Sequence, residues 1–202
     1  MKNILLIVMI GMTCNVSSQI QNKRKIIPSN IAVKNIISHA LWQTTQDVTY
    51  DGSYRVIKYP WGDVPDTIGV CTDVIIRAFR SIGVDLQELV HESVKKHHSY
   101  YYPDPSPYYG GKGADSNIDH RRVRILKKFL KLHYPTSQLS YKDSYLPGDI
   151  VFWDNWHIGI IVDKKVGISN TYYGVHNIGS GPELEDFYYD ENVLEHFRII
   201  NF

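Results

Sequence analysis

Three observations predict an α+β fold. The earlier part of the chain carries apolar residues at helical spacing. The later part breaks into short alternating runs rich in Val, Ile, Tyr and Trp, separated by turn residues. The two textures are segregated rather than interleaved, which is the pattern of N-terminal helices packed on one face of a C-terminal antiparallel sheet. The 202 residues suffice for one domain with its own core, and 21% charged and 43% hydrophobic residues are ordinary for a soluble globular protein. The formal net charge of +1 gives no basic excess for nucleic acid and no acidic tail.

The chain opens "MKNILLIVMIGMTCNVSSQI". Lys2 is a short basic start, and Ile4 to Met12 is an apolar run well short of the roughly 20 residues a bilayer requires. Val16-Ser17-Ser18 fits a small-x-small cleavage site. The pattern predicts a signal peptide over 1–18, a single domain over 19–202, and export to the periplasm or beyond. "GMTC" offers a lipoprotein alternative with Cys14 as a lipidated N-terminus, but Met12 and Thr13 are not the usual small pair. No later segment is long and apolar enough to span a membrane.

From Ser29, "SNIAVKNIISHALWQTTQ" spaces Ile31, Ile36, Ala40 and Leu41 as a helix capped by Ser29 or Asn30. Asp51-Gly52 marks a turn. "TDVIIRAFRSIG" places Val74, Ile75, Ala78, Phe79 and Ile82 on one stripe, with Gly83 as the stop. "DLQELVHESVKKHH" begins with Asp85 and Glu88 at capping-box spacing. Residues 99–118, rich in Tyr, Pro and Gly, read as a long surface loop. "DHRRVRILKKFLKLHY" is a helix capped by Asp119, with Val123, Leu126, Phe129 and Leu130 inward. "GDIVFW", "HIGIIVD", "TYYGVHNIG" and "HFRIINF" read as strands.

The chain has two cysteines, and Cys14 falls in the leader. An exported protein normally pairs or omits cysteines. Cys71 is therefore either a small buried hydrophobe or a reactive thiol. Pro60, Gly62, Pro65 and Gly69 forbid a continuous helix upstream, so a helix starts close to Cys71. Its free amides and partial positive charge lower a thiol's pKa and suit a developing oxyanion. Asp73 in the first turn suits the same dipole, and helix stabilisation is preferred over a direct catalytic part.

A thiol nucleophile needs a base. His157 starts a strand on the face opposite to Ile158, with Gly159 leaving room beside it. His176 lies near the end of the next strand, and antiparallel pairing brings the two rings together, one as base and the other as orienter. Asn177 faces the opposite side of that strand. Arg121 and Arg122 are read as solvated helix charges, with a grip on a substrate carboxylate as the alternative. No HExxH, paired-Cys motif or acidic–His cluster suggests a metal, and no cofactor is implied.

"VCTDVIIRAFRSIGVDL" resembles the nucleophile helix of the NlpC family of bacterial cell-wall cysteine peptidases. "PGDIVFWDNWHIGIIVD" is similar to that family's histidine segment, "YYGVHNIG" to its third segment, and "YPWGD" to a Tyr-x-Trp-Gly-Gly element upstream of the nucleophile. The resemblance covers roughly residues 55–180. It implies a papain-like fold and amide-bond cleavage in peptidoglycan stem peptides. Cys71 then stands as nucleophile, His157 as base and His176 as orienter. Tyr59, Thr72, Asp73, Asn177 and Arg121 are the candidate substrate or oxyanion contacts. The cleft wall is expected from Tyr100 to Tyr109 and Arg121. Val70, Asp73 and Asp63 depart from the family pattern, and Asp73 near the thiol would raise its pKa. "GVCTDV" and "NIDHRRV" look like a bacterial branch catalogued as a domain of unknown function. A non-catalytic cell-wall or glycan binding module and a thiol-dependent acyltransferase are the competing readings.

Overall fold

The computed structural model describes residues 30–103, 113–140, 142–186 and 195–198. The leader with Cys14, and residues 104–112 of the Tyr/Pro/Gly segment, lie outside the described residues.

The helices are α1 (Asn30–Gln43), α2 (Cys71–Arg80), α3 (Leu86–Lys96), α4 (His98–Tyr101) and α5 (Val123–His133). The strands are β1 (Thr49–Tyr50), β2 (Ile68–Gly69), β3 (Gln138–Ser140), β4 (Asp149–Trp153), β5 (His157–Lys165), β6 (Tyr172–Asn177), β7 (Pro182–Asp186) and β8 (Glu195–Arg198). β1 and β2 form a small parallel pair ahead of α2. The other six make one antiparallel sheet in the order β3-β8-β4-β5-β6-β7. The architecture is α+β, with the helices on one sheet face.

Strand alternation builds the core. Ile150, Phe152, Ile158, Ile160, Val162, Val175 and Phe197 all point to the helices and are buried with Ile36, Ile75, Phe79, Val90 and Leu126. The opposite parity places Val151, Trp153 and Ile161 in a second cluster on the other face. α1 and α2 pack directly on β5. α2 ends where the chain turns toward Gly83, whose φ of 75° suits a residue without a Cβ.

Several expectations differ from what the fold contains. Ile31 is 70% exposed, and Val33 and Ile37 join Ile36 and Ala40 on the inner face of α1. Asp119 does not cap α5. It begins a 3-10 turn, Asp119–Arg121, and its carboxylate is taken by the Tyr102 hydroxyl and the Asp115 amide, so α5 starts at Val123 after Arg122. The 99–118 segment is not all surface loop: it opens inside α4, and Tyr101 and Tyr102 are buried. β3 and β7 were not legible as strands; both are short and largely polar.

Candidate active site

Cys71 is the first residue of α2. The approach to it is irregular because β2 ends at Gly69, and Val70 takes an extended conformation before the helix begins. The Val70 amide donates to Asp73 Oδ2 at 2.7 Å, closing the first turn. Asp73 also receives a fork from Arg121: Nε to Oδ1 at 2.9 Å and Nη2 to Oδ2 at 2.8 Å. Both side chains are buried. The Thr72 hydroxyl donates to the Arg121 carbonyl at 3.0 Å, so both residues after Cys71 fasten the 119–121 turn to α2. The preferred reading of Asp73 as helix stabiliser fits this geometry. Arg121 is neither a solvated helix charge nor a free grip, because Asp73 holds its guanidinium.

Cys71 is only 4% exposed. It sits on the wall of a cleft of about 550 Å³ whose lining includes Tyr50, Tyr54, Arg121, Arg122, Arg124 and Trp156. Burial pushes the thiol up to about 11. The backbone amides of Ile158, Thr72 and Cys71 itself pull the other way, and the Asp73 charge adds to the rise. The helix-start amides thus act as expected, but desolvation outweighs them. The expected net lowering of the thiol pKa is not what this environment produces.

The Ile158 amide that reaches the sulfur belongs to the residue just after His157. β4 and β5 pair Trp153 with His157, and β5 and β6 pair Gly159 with His176. All four therefore share a face, and two residues of offset set the imidazoles beside each other. His157 Nε2 and His176 Nδ1 are 2.8 Å apart, with the rings edge to face. His176 Nε2 lies 2.7 Å from Glu185 Oε2 and 4.0 Å from Glu183 Oε1. Both glutamates share that face because β7 pairs Glu183 with His176 and Glu185 with Gly174.

Tryptophans bracket the pair. Trp153 stacks on His176 and packs against His157. Trp156, which is 60% exposed, stacks on His157 at 5.2 Å and also lines the cleft. It sits in the β4–β5 turn with Asp154, whose φ is 52° and whose carbonyl accepts from Lys127 Nζ of α5 at 2.8 Å. Trp156 is thus the physical link between the thiol's cleft and the histidines.

Tyr59 is not at this site. The 58–62 turn is pinned to α3. Asp85 accepts from the Trp61 amide, Gln87 bridges Gly62 and Lys58, and the Tyr59 hydroxyl donates to Glu92 at 2.9 Å. Tyr50 takes the place beside the thiol. Burial raises its pKa first, and the nearby Cys71 charge adds to the rise. The Asn177 side chain points to the helix side and donates to the Gly69 carbonyl at 3.3 Å, tying β6 to the strand before Cys71. Among the described residues the cleft wall comes from Tyr50, Tyr54 and Trp156, and Tyr100 is not part of it. Tyr100 donates to the Lys128 carbonyl, while Tyr108 and Tyr109 lie outside the described residues.

Sequence reasoning passed over Tyr50, Trp153, Trp156 and Glu185. The two tryptophans flank His157 in "FWDNWHIG", and strand parity applied to Trp153 would have found one of them. Among the described residues, no group of three or more His, Cys, Asp and Glu could hold a metal ion. No helix among them is long and apolar enough to cross a membrane.

The chain matches a family described as a domain of unknown function, DUF1287, over residues 37–199. It is 42% identical over 168 residues to a protein of Escherichia coli (strain K12) named "Uncharacterized protein YijF", covering 81% of this chain and 80% of that one. No solved structure matches. The matched region holds the thiol, both histidines and every wall of the cleft: the chain belongs to the DUF1287 family.

Proposed function

We propose that the protein is an exported cysteine hydrolase that cleaves amide bonds in peptidoglycan peptides, on an α+β scaffold of the papain-like, NlpC kind. The observation that carries this reading is the chain of contacts from Glu185 through His176 to His157, ending one residue before the amide on the Cys71 sulfur. A carboxylate beside His176 Nε2 favours the proton there. His176 Nδ1 then accepts from His157 Nε2–H, and His157 Nδ1 is left as the base.

The chemistry follows from that assignment. As the sulfur attacks the substrate carbonyl, its proton passes to His157 Nδ1. The amides at the start of α2, with the Tyr50 hydroxyl, face the developing oxyanion. The proton then goes to the leaving amine, and a thioester remains. Water, deprotonated by His157, hydrolyses the thioester and returns the thiol and a free carboxylate. A thiol whose pKa is pushed up is uncharged at rest, so deprotonation accompanies attack rather than preceding it.

The test is turnover of muropeptides by wild type and by Cys71→Ala, with circular dichroism to show that both fold. Turnover should vanish in the variant, and persistent turnover there would end this mechanism. The buried, uncharged sulfur also favours a second reading, a binding module without catalysis. Under that reading muropeptides bind wild type and variant equally and neither turns over.

A further inference from the structure

We propose that Lys127 of α5 is a positioning residue for the Cys71 cleft: through the Asp154 carbonyl it holds the β4–β5 turn in the conformation that lays Trp156 on His157. The inference goes beyond the hydrolase reading, because the turn and its rings are in place in the protein without a substrate.

Lys127 is buried, and its side chain is 8% exposed. Its ammonium lies 5.9 Å from the centroid of the Phe152 ring. It pairs with Glu195 of β8 and donates to the Asp154 carbonyl at 2.8 Å. Glu195 does not need Lys127 for charge balance. Lys131 Nζ stands 3.0 Å from Glu195 Oε2, and the Gln138 amide donates to that same oxygen. One lysine neutralises one carboxylate, and a second ammonium taken out of water carries a desolvation cost. Reach separates the two lysines: among the described residues it is Lys127 that joins α5 to the β4–β5 turn, while Lys131 is 36% exposed.

The turn needs such a hold. Asp154 has a φ of 52°, in the left-handed region that disfavours a residue with a Cβ. Its carboxylate is turned to its own neighbour, with Oδ1 accepting from Asn155 Nδ2 at 3.1 Å. The Trp156 amide closes the turn on the Trp153 carbonyl at 3.3 Å, a long bond. A charged donor on the Asp154 carbonyl is stronger than a neutral one, and it fixes the peptide plane between Asp154 and Asn155. Trp156 follows directly. Its ring is 27° from parallel to His157 on one side, and it lines the cleft. Because Trp156 is exposed, burial fixes it weakly and the backbone of the turn decides where it lies.

The experiment reads the His157 ring protons by NMR in the full chain without ligand, with Trp156→Leu as the reference for a lost stack. Lys127→Met should move those signals most of the way to the reference, with circular dichroism unchanged. Glu195→Gln breaks the ion pair but leaves Lys127 its bond to Asp154, so the signals should stay where they are in wild type. Where Lys127→Met alone does not fold, the double change Lys127→Met, Glu195→Gln leaves no buried charge unpaired and should move the signals in the same way. On muropeptides the folded Lys127 variant should lose about 10–10²-fold in kcat/KM, the loss expected when a group beside the chemistry is misplaced by about 1 Å. His157 signals unmoved by loss of Lys127, or moved as far by Glu195→Gln alone, would overturn the positioning role. Shifted signals in a protein whose wild type turns over no muropeptide would leave the role standing and remove the hydrolase.

Discussion

The two faces of the sheet carry opposite sets of side chains, and the Cys71 thiol belongs with the apolar core on the helix side while the imidazoles lie on the other. On the helix side, β4, β5, β6 and β8 present Ile150, Phe152, Ile158, Ile160, Val175 and Phe197, closed into one apolar core. On the other side the same strands present Trp153, His157, His176 and His196, with Val151 and Ile161 between them. Successive residues thus do opposite jobs. Ile158 is fully buried against α2, and its own amide touches the thiol, while His157 beside it carries the imidazole. A one-residue slip would exchange the two sets, so the packing that holds the core also fixes the register of the histidines.

That contrast predicts opposite phenotypes for neighbours. His157→Gln should lower kcat/KM on muropeptides by about 10²–10⁴-fold while changing the unfolding free energy little. Ile158→Ala should cost about 2–5 kcal/mol in urea unfolding, the usual range for emptying a buried Ile site. If His157→Gln instead behaves as a stability mutant with normal turnover, the division between faces is wrong.

The Asp73–Arg121 pair belongs to neither face and sharpens the comparison. Asp73→Ala leaves a buried guanidinium without its carboxylate, which costs about 3–5 kcal/mol. The double change Asp73→Leu, Arg121→Met should recover much of that loss, as urea midpoints would record. Activity should return with stability in the double variant; a catalytic Asp73 would leave activity absent even with stability recovered.

Parity made half of this legible. Alternation in "HIGIIVD" and "YYGVHNIG" put His157 and His176 on one face and Asn177 on the other, and the turn residues before Cys71 put it at a helix start. These are local properties that need no knowledge of what packs above. The misses were tertiary. The upward shift of the thiol depends on how deeply α2 is covered, which no local pattern encodes. Tyr59 rather than Tyr50 is expected at the site because "YPWGD" resembles a Tyr-x-Trp-Gly-Gly element upstream of the nucleophile. Asp85, Gln87 and Glu92 of the α3 region hold that turn away. Glu185 was invisible because β7, largely polar, gives no strand alternation to read.

The buried histidines give a smaller, pH-dependent effect. His120 is held down to about 3, first by burial and then by the charges of Arg80 and Arg121, with Asp63 and Asp115 opposing. His196 is also lowered, first by burial and then by Arg198, against the pull of Asp149 and Asp143. Below pH 6.5 the unfolded chain takes up protons that the folded one refuses, so stability present at neutral pH drains away as pH falls toward 3. For His120 alone the loss by pH 5 is about 2 kcal/mol. His120→Gln should flatten the slope of unfolding free energy between pH 7 and 5 by that amount. An unchanged slope would mean that His120 titrates alike folded and unfolded.

The smallest effect concerns the outer end of the histidine chain. Glu185 is more than half exposed, so water and salt screen its hold on His176, unlike the sealed Asp73 carboxylate. Glu185→Gln removes a negative charge that favours the imidazolium, so the histidine pair should lose its proton at lower pH. The acid limb of the kcat/KM profile should move down in pH, and kcat should fall by about tenfold or less with KM unchanged. The difference from wild type should narrow in high salt. Glu183→Gln, at 4.0 Å rather than 2.7 Å, should shift the limb less. A profile that stays in place in both variants would show that Trp153 packing and the His157–His176 contact orient the base without help from a carboxylate.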